Sequence, residues 1–388
     1  MFAIFSQFGG DLVSTIIWLL LFVIFIIFGP RIMTTQAVLK LEKEVYELEE
    51  LAIKSRHYVI NYVSKKPDKK TKESIEAFMD FFAISPVGTD PYGIIKKIDH
   101  IVKQSDDRIK YFVNEIAPGF SSEEKQNIKN ALGGAITAHT IAKIVRHYLE
   151  LIKKYKLFQL AMVIQMQIPL IIRIAKASMR ATHAFVDGVP IGDGIGPLVA
   201  TSMIKGKVRT FRNEEFVVYK TKIEGKDVWI SKADGPGAST GYPGKFLIKF
   251  LKRNKIDRII TIDAAMKLEG EKTASIAEGV GVAMGGTGVE RYEIEELAVK
   301  KNIPLDAVAV KVSDEEALNP MKKVIFDAVP KAQQTLVKAI KRSKKKEKIL
   351  VMGVGNTCGI GNSYRSISKT KENLRKHLKK IEKKKRKF

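Results

Sequence analysis

Residues 257–264 read Asp257-Arg258-Ile259-Ile260-Thr261-Ile262-Asp263-Ala264, a β-branched run closed by an acid and a small residue. A strand covered by helices on both faces has this continuous apolar pattern. Outward from it, from about residue 183, short β-branched runs alternate with amphipathic stretches and Gly-rich turns. That alternation predicts an α/β fold with a mostly parallel sheet and flanking helices. Strands are expected at 184–186, 216–221, 227–232, 258–263, 307–312 and 348–354, with helices at 194–204, 244–254, 289–301 and 314–342. The second and third strands should form a hairpin around Glu224-Gly225.

Upstream the pattern is helical throughout. Residues 12–29, LVSTIIWLLLFVIFIIFG, carry no charge. At ~1.5 Å per residue they reach ~27 Å, close to the hydrocarbon thickness of a bilayer. The first eleven residues contain no Lys or Arg and no small-residue cleavage site follows the run, so an uncleaved anchor is expected rather than a signal peptide. Arg31 and Lys40 follow the span while only Asp11 flanks it on the other side. The positive-inside rule then places the body in the cytoplasm, the N-terminus outside and the chain in the cell membrane as a single-pass protein.

The expected organisation is an anchor at 1–30, a juxtamembrane stalk helix at 31–63, a basic linker at 64–72, a helical segment at 73–182, an α/β domain at 183–363 and a basic tail at 364–388. In the stalk, Val38, Leu41, Val45, Leu48 and Ala52 form a coiled-coil seam about two heptads long. It suits packing on the chain's own body or a parallel homodimer. Asp90-Pro91 reads as one helix start, Pro118-Gly119 as a stop and Ser121 to Glu124 as the next start. The apolar run at 157–179 includes Gln159, Gln165, Gln167, Pro169 and Arg173, costly in lipid, and reads as a buried helix.

Lys and Arg number 67 against 42 Asp and Glu in 388 residues, a formal charge of +25 that favours polyanionic partners. A single cysteine excludes an intramolecular disulfide and a Cys-based zinc cluster. Apolar residues at 45% exclude a disordered chain, and a mean hydropathy of −0.06 excludes a polytopic transporter. Residues 365–388 hold twelve Lys or Arg against two Glu and little apolar stripe. They are expected to be solvated and partly disordered, able to hold nucleic acid or anionic lipid.

Chemistry is expected in three turns at predicted strand ends: residues 189–197 with Asp193, residues 233–241 with Asp234, and 262–265 with Asp263. Ligands in open α/β sheets bind at the carboxyl ends of strands, so the three acids should share a rim. Gly241 to Lys245 resembles the end of a P-loop, but Ser239 and Phe246 stand where glycine and a magnesium-holding hydroxyl are needed. His183 is the only histidine near the rim and reads as a structural or surface imidazole, and no base can be assigned to Cys358.

The α/β half resembles the hydrogenase-maturation and spore germination endopeptidases over about 183–342. Gly192-Asp193-Gly194-Ile195-Gly196-Pro197 is similar to their acidic turn, the 233–241 segment to their D-G-G-T-x-G turn, and 257–264 to their strand ending in an acid. The resemblance implies a catalytic or metal-holding role for Asp193 and Asp263, with Asp234 in support and Gly235, Gly237 and Gly241 lining a cofactor-binding turn. A divalent metal is the cofactor it implies. Where those proteases supply a histidine, this sequence reads GGTGVE at 285–290, so Glu290 is the remaining third metal ligand. Their first strand, of type ILVxGxGN, is found here late, at 349–356. That strand either lies beside Asp193, with Asn356 facing it, or adds at a sheet edge. As a whole, the sequence resembles an uncharacterised archaeal membrane-protein family, domain-of-unknown-function family 1512. Two functions follow as expectations: a membrane-anchored metal-dependent hydrolase or peptidase, or a non-catalytic tether holding nucleic acid, ribosome or anionic lipid through its basic tail.

Overall fold

The computed structural model describes residues 12–86, 93–285 and 288–385. The Asp90-Pro91 helix start, Asp11 and the last three tail residues lie outside them. Five helices open the chain: α1 (Leu12–Val63), α2 (Lys69–Phe78), α3 (Ile94–Ile116), α4 (Ser122–Tyr155) and α5 (Phe158–Val186). The α/β part follows as α6 (Ile195–Met203), β1 (Arg209–Phe211), β2 (Phe216–Ile223), β3 (Lys226–Ala233), α7 (Pro243–Leu251), β4 (Arg258–Met266), β5 (Ile276–Val280), α8 (Val289–Lys301) and β6 (Leu305–Val312). It closes with α9 (Asp314–Leu318), α10 (Lys323–Phe326), α11 (Val329–Arg342), β7 (Ile349–Gly353) and α12 (Ser366–Lys385).

Anchor and stalk are one helix of 52 residues that continues through Pro30. Side chains from 16 to 28 are exposed and apolar, as a span requires. Below it, Leu41, Val45 and Leu48 are fully buried against Ala142, Val145 and Leu149 of α4 and Ile168, Ile172 and Ala175 of α5. The stalk seam is therefore covered within the chain, in a three-helix bundle, rather than left open for a second copy. Helix α4 starts where expected: Ser121 caps it and exchanges hydrogen bonds with Glu124 in a capping box.

By length and composition α5 is the second helix apolar enough to cross a membrane. Only its C-terminal half is embedded in protein, with Ala175, Ala177, Ala181 and Ala184 fully buried; the first half of the run expected to be buried instead exposes Met162, Val163, Met166 and Leu170. Ala181 and Ala184 share a core with Ala131 and Ala135 of α4, and an added Cβ on Gly134 of α4 would come within 2.6 Å of Thr182 Oγ1. This close packing carries the helix through Val186, so the strand expected at 184–186 does not form.

The seven strands run in the order β1-β2-β3-β7-β4-β6-β5. The four inner strands β3, β7, β4 and β6 are parallel, whereas β1-β2, β2-β3 and β5-β6 pair antiparallel. The sheet is therefore mixed, not mostly parallel. The β2-β3 hairpin forms as expected, since Glu224 and Gly225 both take positive φ, the geometry of a tight two-residue turn that matches strand twist. Period-2 alternation divides the two cores. Ile349 and Val351 pack towards α6 and α11, while Leu350 and Met352 face Phe246, Leu247 and Phe250 of α7. Strands β1 and β5 escape sequence reading because they are short and mostly exposed. The helix expected over 314–342 breaks into α9, α10 and α11, with Pro320 in the first break and Pro330 at the start of α11.

The tail departs most from expectation. Residues 366–385 are helical. Leu374 and His377 are buried, and Ile367 and Leu378 pack on the same core. His377 Nδ1 lies 2.9 Å from Asp187 Oδ2, whose other oxygen accepts from Tyr58 Oη at 3.1 Å. One carboxylate thus joins α12, the end of α5 and the lower end of α1. Burial alone would raise the Asp187 pKa, but the His377 hydrogen bond and the Lys380 charge outweigh it and hold the carboxyl below its usual range.

Candidate functional site

Strand β7 occupies the centre of the sheet, beside β4. Just past it the chain meets the turn before α6. An added Cβ on Gly196 would lie 2.2 Å from the Val354 carbonyl oxygen and 2.3 Å from that of Ile262. The glycines of 192–196 serve close approach: Gly196 seats the start of α6 on the ends of β4 and β7, Gly194 lies against Asn356 and Ile360, and Gly192 against Glu316 of α9. The same approach brings Asp193 over those strand ends, where its Oδ2 accepts a hydrogen bond from the Asn356 backbone N–H at 2.8 Å. Asn356 does face Asp193, through its main chain. Asp263, at the end of the buried part of β4, is 3% exposed, and its Oδ1 accepts from the Ala264 N–H at 2.7 Å.

Asp193 and Asp263 line one cavity of about 420 Å³. They also line a second, of about 350 Å³, on the side of Met266, Val312 and Ala317. Burial raises the pKa of both carboxyls. For Asp263 the negative charge of Asp193 raises it further, and one backbone N–H opposes the rise in each. Two carboxyls so placed cannot both ionise easily, and the pair retains a proton into a range where ordinary carboxyls have lost theirs.

The wall of the first cavity comes from the helical half. Asp106 of α3 pairs with Lys129 of α4 at 2.8 Å and with Lys110 at 2.9 Å, and accepts from Tyr242 Oη at 2.7 Å. Lys110 continues to Glu215 at 3.0 Å, which also accepts from Ser239 Oγ at 2.5 Å. Burial works against the charge on Asp106, but Lys129 and Lys110 win and hold its pKa at about 2. Asp106, Lys110 and Glu215 are each held in their charged forms by their partners, which gives the cavity a polar flank of fixed charge. Asp106, Lys129 and Glu215 carry no signal of a site in the sequence, and Tyr242 lies in the turn that resembles the end of a P-loop. Only folding brings α3 and α4 over the sheet.

Other expected residues fall elsewhere. Asp234 does not line either cavity. Its Oδ1 accepts from Asn362 Nδ2 at 2.6 Å, and Asn362 also accepts from the Gly235 N–H and from Lys232 Nζ at 2.7 Å. Lys232 is fully buried, and desolvation pushes its pKa down to about 7 despite the Asp234 charge. Gly235 packs against the Ile360 carbonyl and Gly237 against Gln126, both as close-contact positions. Gly241 does line the first cavity.

Glu290 lines it too, but its carboxylate is taken by the Gly244 N–H at the start of α7, at 2.5 Å. Burial raises its pKa to about 7, with Glu293 adding to the rise. Among the described residues no three His, Cys, Asp or Glu side chains gather as a metal-holding group. The expected triad of Asp193, Asp263 and Glu290 is therefore not assembled, because α7 claims the third carboxylate. Cys358 is buried, its thiol pushed up by desolvation, and its sulfur lies against the Asn127 side chain and the Ala184 and Phe185 carbonyls.

No curated protein and no solved structure matches the chain. Two family descriptions do: Protein of unknown function (DUF1512) N-terminal domain over residues 15–188, and Domain of unknown function (DUF1512) C-terminal over 191–361. Their junction falls just before the turn that carries Asp193, so the cavity is walled by the first half and floored by the second. Matched along nearly all its length by the two halves of one family, the chain belongs to the DUF1512 family.

Proposed function

We propose that this chain is a membrane-anchored hydrolase whose Asp193–Asp263 pair cleaves an extended, amide-linked substrate by general acid–base catalysis. The observation that carries the reading is the shared position of the two acids. They line both neighbouring cavities, so an extended chain lying from one cavity to the other passes directly over them. Their mutual repulsion and burial favour the singly protonated state that such chemistry needs.

In that state the ionised carboxylate accepts a proton from water while the water oxygen attacks the amide carbon. The protonated partner gives its proton to the carbonyl oxygen. Collapse of the tetrahedral intermediate returns a proton to the leaving nitrogen as the C–N bond breaks. The resemblance to the maturation and germination endopeptidases supports the peptide class. The donor set does not fit the metal which that resemblance also implies, so no step is assigned to it.

The test is cleavage of a peptide library by the full chain in detergent, with products read by mass spectrometry. Asp193→Asn and Asp263→Asn should each lower turnover by ~10³-fold or more, as loss of either partner of an acid–base pair does. Asp234→Asn should leave turnover near wild type, because Asp234 lies outside both cavities. Rate should fall on both sides of a pH optimum, since either full protonation or full ionisation of the pair stops the cycle. Equal activity in the two Asn variants and the wild type would end the proposal.

A second reading, a tether, is favoured by α12. Docked through Leu374 and His377, it leaves Lys369, Lys371, Arg375, Lys376, Lys379 and Lys380 exposed. Tyr58, joined to α12 through Asp187, lies ~40 Å along α1 from Gly29 at ~1.5 Å per residue, several Debye lengths from the proposed bilayer. Nucleic acid, rather than the lipid of its own anchor, is then the polyanion this surface meets.

A further inference from the structure

The three-helix bundle ends, on the side of the apolar span, in the α4–α5 turn. Between that turn and α1 lies a cavity of about 680 Å³ lined by Arg31, Thr34, Thr35, Val38, Ile152, Lys153, Lys156 and Phe158. Its lining holds three cations and two threonines but no acid. Lys153 is already paired with Glu42 at 2.5 Å. Arg31 and Lys156 have no ion pair among the described residues.

Two independent features set the depth of this cavity. Arg31 is the first charge after the uncharged run 12–29, so it stands where a spanning helix leaves hydrocarbon for headgroups. The turn facing it exposes Tyr155 and Leu157, at 57% and 40%, beside the cation Lys154. An exposed aromatic and aliphatic tip among lysines suits the interface between bilayer and water. Just below, Met162, Val163 and Met166 of α5 form an exposed apolar flank.

We infer that the cavity between α1 and the α4–α5 turn binds the phosphate headgroup of an anionic phospholipid, held by Arg31 and Lys156. The apolar wall of Val38, Ile152 and Phe158 lies beneath the headgroup, and Tyr155 and Leu157 sit in the interface next to it. The site fixes the rotation of the body against the membrane, which a single spanning helix cannot do. It rests on the anchoring part of the proposed function and is independent of the catalytic part.

The experiment reconstitutes the full chain into nanodiscs of phosphatidylcholine with phosphatidylglycerol and counts retained lipids by native mass spectrometry. Wild type should retain phosphatidylglycerol over phosphatidylcholine by roughly tenfold or more, given ~1 kcal/mol for each basic residue at an anionic surface. Arg31→Gln with Lys156→Gln should bring retention close to the bulk lipid ratio, while Lys65→Gln with Lys66→Gln in the linker should not. Preference unchanged in the first pair, or absent in wild type, overturns the inference alone. Displacement of the lipid by millimolar inorganic phosphate would mark a free-phosphate site and overturn it as well. A chain that does not enter nanodiscs at all overturns the anchor reading, and this inference with it.

Discussion

Asp263 holds its proton because burial and Asp193 disfavour the charged form. A carboxyl with a folded pKa above its unfolded value weakens the fold as pH rises from the unfolded value through the folded one. Asp263→Asn removes that penalty and keeps the shape. The variant should gain ~0.5–2 kcal/mol over wild type at pH 7, and the gain should vanish near pH 3. Urea unfolding followed at both pH values checks this, and a loss at pH 7 would contradict the assigned protonation. Gly196 gives the opposite case. Its missing Cβ lets the α6 turn lie on two strand carbonyls. Gly196→Ala should cost ~3 kcal/mol, the upper range for overpacking, seen as a lower urea midpoint with Asp193 displaced from the pair.

Helix α12 shows how an element can be missed as well as found. Its stripe of Ile367, Thr370, Leu374, His377 and Leu378 has helical spacing, but lysines between these positions dilute it to the eye. Only the core beneath shows that the stripe has something to pack on. Deletion of 365–388 should therefore destabilise the domain rather than leave it untouched. His377→Ala tests this more finely. It removes a buried contact to Asp187, and hydrogen exchange should speed up in α12 and around Tyr58 while β7 stays protected. Unchanged exchange in α12 would show that the Asp187 junction does not hold it. In the stalk, truncating Leu48, fully buried between α4 and α5, should cost ~2–5 kcal/mol. A stalk held in a dimer seam would instead show that loss only at high protein concentration.

Across the whole molecule, α1 acts as a spacer. It carries an apolar span at one end and the α12 junction at the other. A basic surface that far from the proposed bilayer should bind RNA at low salt whether or not the chain sits in an anionic membrane, with affinity falling steeply as salt rises. Fluorescence anisotropy with labelled RNA, in neutral and anionic nanodiscs, reads this directly. Strong competition by the anionic nanodisc would place the tail at the membrane instead. The site cavity is built from both halves of the family: α4 reaches down from the bundle and, with α3 packed on it, closes over the sheet.

Local pattern by itself determined much of this protein. The uncharged run at 12–29, the stalk seam, the Ser121 cap, the Glu224-Gly225 hairpin and the Ile-rich strand ending in Asp263 are all short-range signals. They depend on side-chain period, turn geometry and the absence of charge, which neighbours in the chain fully specify. The acids Asp193 and Asp263 were legible too, because strand ends followed by small residues are local features. Tertiary structure alone decided what covers the seam, where β7 inserts, and which acids meet. Strand order is set by long-range pairing, and so the mixed sheet could not be read from alternation. Asp234 and Glu290 were lost to Asn362 and to the Gly244 N–H, partners 128 and 46 residues away in the chain. The Asp106 network was gained for the same reason: a charge among ordinary helical charges acquires meaning only from the group that packing sets against it.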